Sequence, residues 1–459
     1  MATYDPLNNT FTLDNGEADF SLPATMPNTN DPLPDWSRII GNVLANILQG
    51  DALTNELDGK EGADRLIGGQ GNDHYFIDDG NDEIVENAGE GRDTAWSRAS
   101  YVLPANVELL NLEGVADIDG TGNDLDNRIV GNDGNNILDG GGGNDTISIS
   151  TYLGHHGGSD QIIGGDGIDT VEYEGAVGVT VNLTTGTGSG GNAQGDTYVG
   201  IENVRGTSRN DTLIGNAQGN SLGGGYGDDK LEGRAGADVL NGFYGRDMLI
   251  GGAGADLMTG GGDNDVYSVD NRGDRVVESS SGGTADRVFA SVDYTLSAYV
   301  EQLSAVGSSS ISLTGNALNN TIAGNKGRNI IKGGGGSDTL NGGYGNDVLS
   351  GNAGKDVFVF NTKLSRFYNL DRITDFNVRD DAIKLENAIF SKLGSRTGLL
   401  KKGYFTVGPK AKDANDYIIY NKETGYLYYD KDGFGSGRAV EIAILKKDLG
   451  LKYSDFYVI

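Results

Sequence analysis

Cysteine is absent from the 459 residues, which excludes disulfides and thiolate metal sites. Histidine occurs three times, at His74, His155 and His156, too few for an imidazole-built zinc centre. Proline occurs seven times and clusters in residues 1–40. No apolar run approaches the roughly 18 residues of a membrane-spanning helix. The opening MATYDPLNNTFTLDNGEADF has no basic start and no apolar stretch, so no Sec-type signal peptide is expected. Catalytic motifs are missing too. There is no H-E-x-x-H and no G-x-S-x-G, and the GGGG runs at 140–143 and 333–336 lack the Lys-Ser/Thr of a phosphate loop. The HH pair lies in a repeat turn and reads as incidental. The chain is therefore expected not to be an enzyme. Cations are scarce: 35 Lys and Arg face 66 Asp and Glu, a formal charge of -31. That balance argues against nucleic acid or an anionic membrane as a partner and suits divalent cations.

Glycine is abundant, with 76 residues, well above the usual share of about 7%. It is not scattered. Residues 233–258 read GRAGADVLN, GFYGRDMLI, GGAGADLM, a nine-residue frame. The frame opens four times from Gly41 and three times from Gly122. A six-residue insertion shifts the phase, and two repeats follow from His155. Seven run from Gly206 to Ser268 and five from Gly315 to Val359. Column six is Asn46, Asn55, Asp64 and Asp73 in the first array, and in the second it includes Asp145, Asp160 and Asp169. In the third it is Asp211, Asn220, Asp229, Asp238, Asp247, Asp256 and Asp265; in the fourth, Asn320, Asn329, Asp338, Asp347 and Asp356. Column eight is apolar: Leu213, Leu222, Leu231, Leu240, Leu249, Met258 and Tyr267 in the third array. Each repeat thus predicts a six-residue turn followed by a very short strand whose middle residue points inward. Two repeats make one coil of an all-β solenoid. Aspartates of successive coils then lie about 4.8 Å apart, and two carboxylates at that distance repel by about 3–4 kcal/mol at an effective dielectric of 20. A hard cation between turns reverses the sign. Calcium, with six to eight oxygen ligands, fits better than magnesium.

GGAGADLMT, GGYGNDVLS and GGQGNDHYF resemble the RTX nonapeptide, GGxGxDxUx, of the hemolysin-type calcium-binding repeat proteins. The resemblance implies a parallel β-roll with several Ca2+ held between turns two repeats apart. It pairs Asp211 with Asp229, Asp229 with Asp247, Asp247 with Asp265, Asp238 with Asp256, and Asp338 with Asp356. Asn46, Asn55, Asn220, Asn320 and Asn329 depart from the pattern and read as weak sites or caps.

The expected organisation is a lead-in at 1–40, arrays at 41–76, 122–172, 206–268 and 315–359, and β spacers at 77–121 and 269–314. A β linker covers 173–205, and a C-terminal cap and secretion-signal region covers 360–459. The two spacers are duplicates, matching Tyr75 with Tyr267, Asp78 with Asp270, Glu86 with Glu278, Tyr101 with Tyr294 and Glu108 with Glu301. They read as a continuation of the solenoid. Forty residues of lead-in are too few to bury an enzyme core. DKDGFGSGRAVE places Asp430, Asp432, Gly435 and Glu441 at EF-hand spacing, but its strand-like flanks favour a plain hairpin. The tail SDFYVI is similar to the C-terminal signals of type I secretion substrates. The resemblance therefore implies a secreted or cell-surface protein of a Gram-negative bacterium, with calcium and the type I secretion machinery as partners and a structural, adhesion or interaction role. A calcium-dependent polysaccharide-binding module is the alternative, with Tyr226, Phe243, Tyr244 and Tyr344 as its candidate face.

Overall fold

The structure is a computed structural model that describes residues 2–6, 8–22, 36–150 and 157–459. Two compact units, Met1–Arg234 and Ala235–Ile459, divide the chain. No helix among the described residues is long and apolar enough to cross a membrane, which leaves strand-built barrels unaddressed.

In the first unit, short strands pair in parallel with the strand one coil on. Ile47 faces Arg65 and Arg65 faces Glu83, eighteen residues apart each time (65 − 47 and 83 − 65). Arg128 faces Thr146 and Thr212 faces Lys230 at the same offset. Two nonapeptides therefore close one coil. A strand such as Arg65–Ile67 buries only its central residue, because alternate side chains leave opposite faces. The core is consequently a stack of column-eight side chains. Leu48, Leu57, Leu66 and Tyr75 are completely buried. At the phase shift, Ile137 faces Gln161, an offset of 24 (161 − 137). The six extra residues lengthen one coil and leave the strand register intact. Residues 151–156, including His155 and His156, lie outside the described residues.

The segment between the first two arrays stays on the stack. Strands His74–Ile77, Thr94–Ser97, Leu109–Leu112 and Arg128–Val130 pair successively in parallel. The 173–205 segment stays on the parallel stack and adds an antiparallel hairpin, Thr180–Asn182 with Thr187–Ser189. At the start of the unit, Thr3–Asp5 and Thr10–Thr12 pair antiparallel, and Phe11 is buried against Tyr4 and Phe20. Such a hairpin covers what would otherwise be an open strand edge.

The second unit repeats the plan. Leu257 faces Arg275 and Ile330 faces Val348, again eighteen apart (275 − 257 and 348 − 330). Val266–Val269, Arg287–Ala290, Gln302–Ala305 and Thr321–Ala323 form the parallel run that corresponds to the spacer of the first unit. Beyond the last repeat, Ala382–Leu385 stacks on Val357–Phe360, and Phe456–Val458 stacks on Ala382–Leu385. Gly398–Leu399 then closes the edge in antiparallel sense. The SDFYVI tail is thus an integral strand, with Phe456 and Val458 buried. A meander of Ile418–Tyr420, Tyr426–Tyr429 and Val440–Ile444 joins the other face through Asp371–Ile373.

Candidate metal centre

All fourteen column-six aspartates predicted from the sequence are buried: Asp64, Asp73, Asp145, Asp160, Asp169, Asp211, Asp229, Asp238, Asp247, Asp256, Asp265, Asp338, Asp347 and Asp356. The turn explains why. Column-one glycine has no Cβ, so the carboxylate of column six folds back against its Cα. A Cβ on Gly251 would overlap Asp256 Oδ2, and one on Gly333 would overlap Asp338 Oδ2. Glycine is required there by the space the carboxylate occupies.

One oxygen of each carboxylate holds the coils in register. Asp64 Oδ1 accepts the backbone N–H of Asn46 at 2.6 Å, and Asp73 Oδ1 that of Asn55 at 2.6 Å. Among the expected pairs, the Asp211 N–H donates to Asp229 at 2.8 Å, Asp238 to Asp256 at 2.9 Å, Asp247 to Asp265 at 2.8 Å and Asp338 to Asp356 at 2.9 Å. Asp229 and Asp247 fall in different units. The same bond links Asn127 to Asp145, Asn136 to Asp160, Asp145 to Asp169 and Asn329 to Asp347.

The second oxygen decides the chemistry. Among the described residues, Oδ2 of Asp64, Asp73, Asp145, Asp160, Asp169, Asp256, Asp265, Asp338 and Asp347 is buried and accepts no hydrogen bond. A buried carboxylate oxygen without a partner is costly, and these recur coil after coil. Burial accordingly raises the carboxyls: Asp64, Asp145, Asp256 and Asp338 to about 6, Asp73, Asp160 and Asp347 to about 7, and Asp265 to about 8. Neighbouring carboxylates add to the rise, Asp82 beside Asp64 and Asp169 beside Asp145. Oxygen-only ligands, buried, anionic and unsatisfied, are the donor set of a hard divalent cation. The residues therefore fit calcium. Asp211 differs, because its Oδ2 already accepts the Thr207 N–H at 2.7 Å.

Asparagine in column six does something different from a weak carboxylate. Asn320 Oδ1 accepts the Asn316 N–H at 2.8 Å, and its Nδ2 donates to the Val300 carbonyl at 3.1 Å. Asn316 Nδ2 donates to the same Val300 carbonyl at 2.8 Å and to that of Ser297 at 2.7 Å. Asn123 and Asn127 repeat this against Pro104 and Val107, and Asn42 and Asn46 against Asp14 and Glu17. Amide N–H groups serve these carbonyls where an Asp turn would need a cation.

Several ladder members escaped the sequence reading. Asp82 Oδ1 accepts the Asp64 N–H, Asp93 the Asp73 N–H, Asp196 the Asp160 N–H, Asp274 the Asp256 N–H and Asp286 the Asp265 N–H. Asp371 and Asp381 extend the ladder past the last array. Asp82 and Asp274 lie eighteen residues beyond Asp64 and Asp256 (82 − 64 and 274 − 256) and were findable by spacing. The others sit behind insertions that break the period. The EF-hand-like stretch is a hairpin loop between Tyr426–Tyr429 and Val440–Ile444, where Asp432 accepts the Gly437 N–H at 2.8 Å.

Comparison with known families agrees with this geometry. The model of the RTX calcium-binding nonapeptide repeat matches residues 49–84, 121–148, 156–172, 199–222, 205–240, 241–271, 314–343 and 333–361. No curated protein matches the chain. The four arrays are thus runs of the RTX calcium-binding nonapeptide repeat, and these repeats bind multiple calcium ions.

Proposed function

We propose that this is a secreted protein that winds into its β-roll on meeting calcium outside the cell, and that its role there is structural, adhesive or interactive rather than catalytic. The observation that carries the reading is the run of buried column-six carboxylates, nine of which (Asp64, Asp73, Asp145, Asp160, Asp169, Asp256, Asp265, Asp338 and Asp347) keep one buried oxygen that accepts no hydrogen bond among the described residues. Asp64, Asp73, Asp145, Asp160, Asp169, Asp229, Asp238, Asp247, Asp256, Asp265, Asp338, Asp347 and Asp356 would hold the ions. Asp211 would contribute only by giving up its bond from Thr207. Bound Ca2+ supplies the positive charge that these turns lack. The chain does the rest. Column-one glycines admit the carboxylates, Oδ1 atoms set the coil spacing, and column-eight side chains provide the apolar stack. With a formal charge of -31, the calcium-poor chain repels itself and stays expanded, a state suited to export by a type I machinery. Millimolar extracellular calcium then drives folding by mass action.

The test is a calcium titration of EGTA-stripped chain, followed by far-UV circular dichroism and hydrodynamic radius together. Compaction with a gain of β signal, absent with magnesium, is the expected result. A chain that is already compact in EGTA and silent to calcium would remove the switch.

Exposed aromatics favour a second reading, a polysaccharide-binding face. Tyr226 in the first unit and Phe243, Tyr244 and Tyr344 in the second are all exposed. Stacking on sugar rings needs such faces. Calcium-dependent retention on alginate or a glycan array would separate it from a purely structural role.

A further inference from the structure

The two duplicated spacers each place three carboxylates together in a way the nonapeptide does not. Ligand oxygens of Asp73, Glu86 and Asp93 lie within 4.8 Å of one another, and so do those of Asp265, Glu278 and Asp286. The repeat supplies only the first member of each set. The other two come from a lengthened turn. Asp73 is followed on the ladder by Asp93, twenty residues on, and Asp265 by Asp286, twenty-one on. The regular step is eighteen, so the turn has gained two or three residues, and the extra chain turns a glutamate into the coil.

Each cluster is closed and oriented. Asp73, Glu86 and Asp93 are all more than nine-tenths buried, as are Asp265 and Asp286. Glu278 is half-buried as a residue, with its carboxylate inside the cluster. Among the described residues, Asp73 Oδ2, Glu86 Oε2 and Asp93 Oδ2 accept no hydrogen bond, and neither do Asp265 Oδ2 and Asp286 Oδ2. A tyrosine fixes the glutamate in both: the Tyr75 hydroxyl donates to Glu86 Oε1 and the Tyr267 hydroxyl to Glu278 Oε1. Glycine keeps the space open. A Cβ on Gly68 would overlap Asp73, Tyr75 and Glu86 together, and one on Gly260 would overlap Asp265 and Tyr267. Glu108 and Glu301 then end the ladder by accepting the N–H of Asp93 at 2.8 Å and of Asp286 at 3.0 Å. Burial pushes Glu86 up to about 9 and Glu278 up to about 7.

We propose that each spacer carries its own cation site, formed by Asp73, Glu86 and Asp93 in the first unit and by Asp265, Glu278 and Asp286 in the second, and that each takes one hard divalent ion, calcium above magnesium. These sites differ from the turns of the repeat in being built on three side-chain carboxylates, with a tyrosine hydroxyl behind one of them. They lock the end of an array to the longer coil that follows. The inference rests on the calcium ladder, since Asp73 and Asp265 belong to both.

The test uses the full chain and the variants Glu86→Gln, Glu278→Gln and the double. Bound calcium per chain is counted by equilibrium dialysis at saturation, beside the wild-type folding titration. Each single variant should lose one ion and the double should lose two. An unchanged count in the double variant would overturn the proposal. If a glutamine variant fails to fold, Tyr75→Phe and Tyr267→Phe keep every carboxylate and report instead through terbium luminescence excited at tyrosine. A fall in that emission with an unchanged ion count is expected, and unchanged emission in the double Phe variant would overturn the proposal. A wild-type chain that neither binds nor responds to calcium would instead mark the failure of the ladder itself.

Discussion

At the scale of single residues, column-one glycine and column-six aspartate act as one unit. Gly251 can carry no side chain because Asp256 Oδ2 occupies its Cβ position, and Asp256 is placed by its bond from the Asp238 N–H. Replacing Asp256 by Asn should therefore act in opposite directions in two media. In EGTA the buried charge is gone and the metal-free coil is less strained. In calcium a charged ligand is gone. Its loss is worth at least a charge-assisted hydrogen bond, about 1.5–3 kcal/mol, or roughly ten- to a hundredfold in that site's calcium affinity. Thermal unfolding in EGTA, with sucrose added to hold the metal-free chain folded, and a calcium titration on the same preparation would check both signs. A shift in the same direction in both media would show that Asp256 holds no cation.

At the scale of the element, the roll has two kinds of turn. The Asp turn presents an anionic oxygen without a partner, and the Asn turn satisfies its neighbours with amide N–H groups. Asn turns stand at Asn46, Asn127 and Asn320, each at the opening of an array. They provide coils that need no calcium, onto which later coils add in the nearest-neighbour manner of repeat proteins. Asn320→Asp removes the donor to Val300 and buries a charge. It should cost about 1–3 kcal/mol in EGTA and clearly less in saturating calcium. Thermal unfolding in the two media, the EGTA medium containing sucrose to hold the metal-free chain folded, measures the difference. An equal loss in both would mean that the amide is only packing.

At the scale of the whole molecule, the ladder couples folding to protons as well as calcium. Column-six carboxyls ordinarily titrate near 3.8, but in the metal-free fold Asp145 rises to about 6, Asp73 to about 7 and Asp265 to about 8. Between those limits the folded chain binds more protons than the unfolded chain, so its calcium-free stability falls as pH rises from about 4 to about 8. With calcium present the ionised carboxylates are the binding form, protons compete with the ion, and stability falls as pH drops through the same window. Circular dichroism melts in calcium and in EGTA, the latter with sucrose added to hold the metal-free chain folded, should cross when taken across that range. Parallel profiles would mean that the carboxylates do not titrate on folding.

The local rules of the roll were legible in the sequence because they repeat. The nine-residue period, the apolar column eight and the acidic column six can be read without coordinates, since period-two strands and glycine turns leave few alternatives. From them follow the all-β class, the coil of two repeats and the affinity for a hard cation. Three things needed the tertiary structure. Asp93, Asp196, Asp286, Asp371 and Asp381 join the ladder across insertions, because strand pairing conserves position in space and not distance along the chain. Asparagine and aspartate, nearly the same shape, take opposite roles because only folding shows whether the facing groups are carbonyls to be donated to or a space left for an ion. Glu86 and Glu278 looked like matched letters in two copies of a spacer. Their meaning appears only once a lengthened turn carries each of them, against a tyrosine, onto two aspartates of the roll.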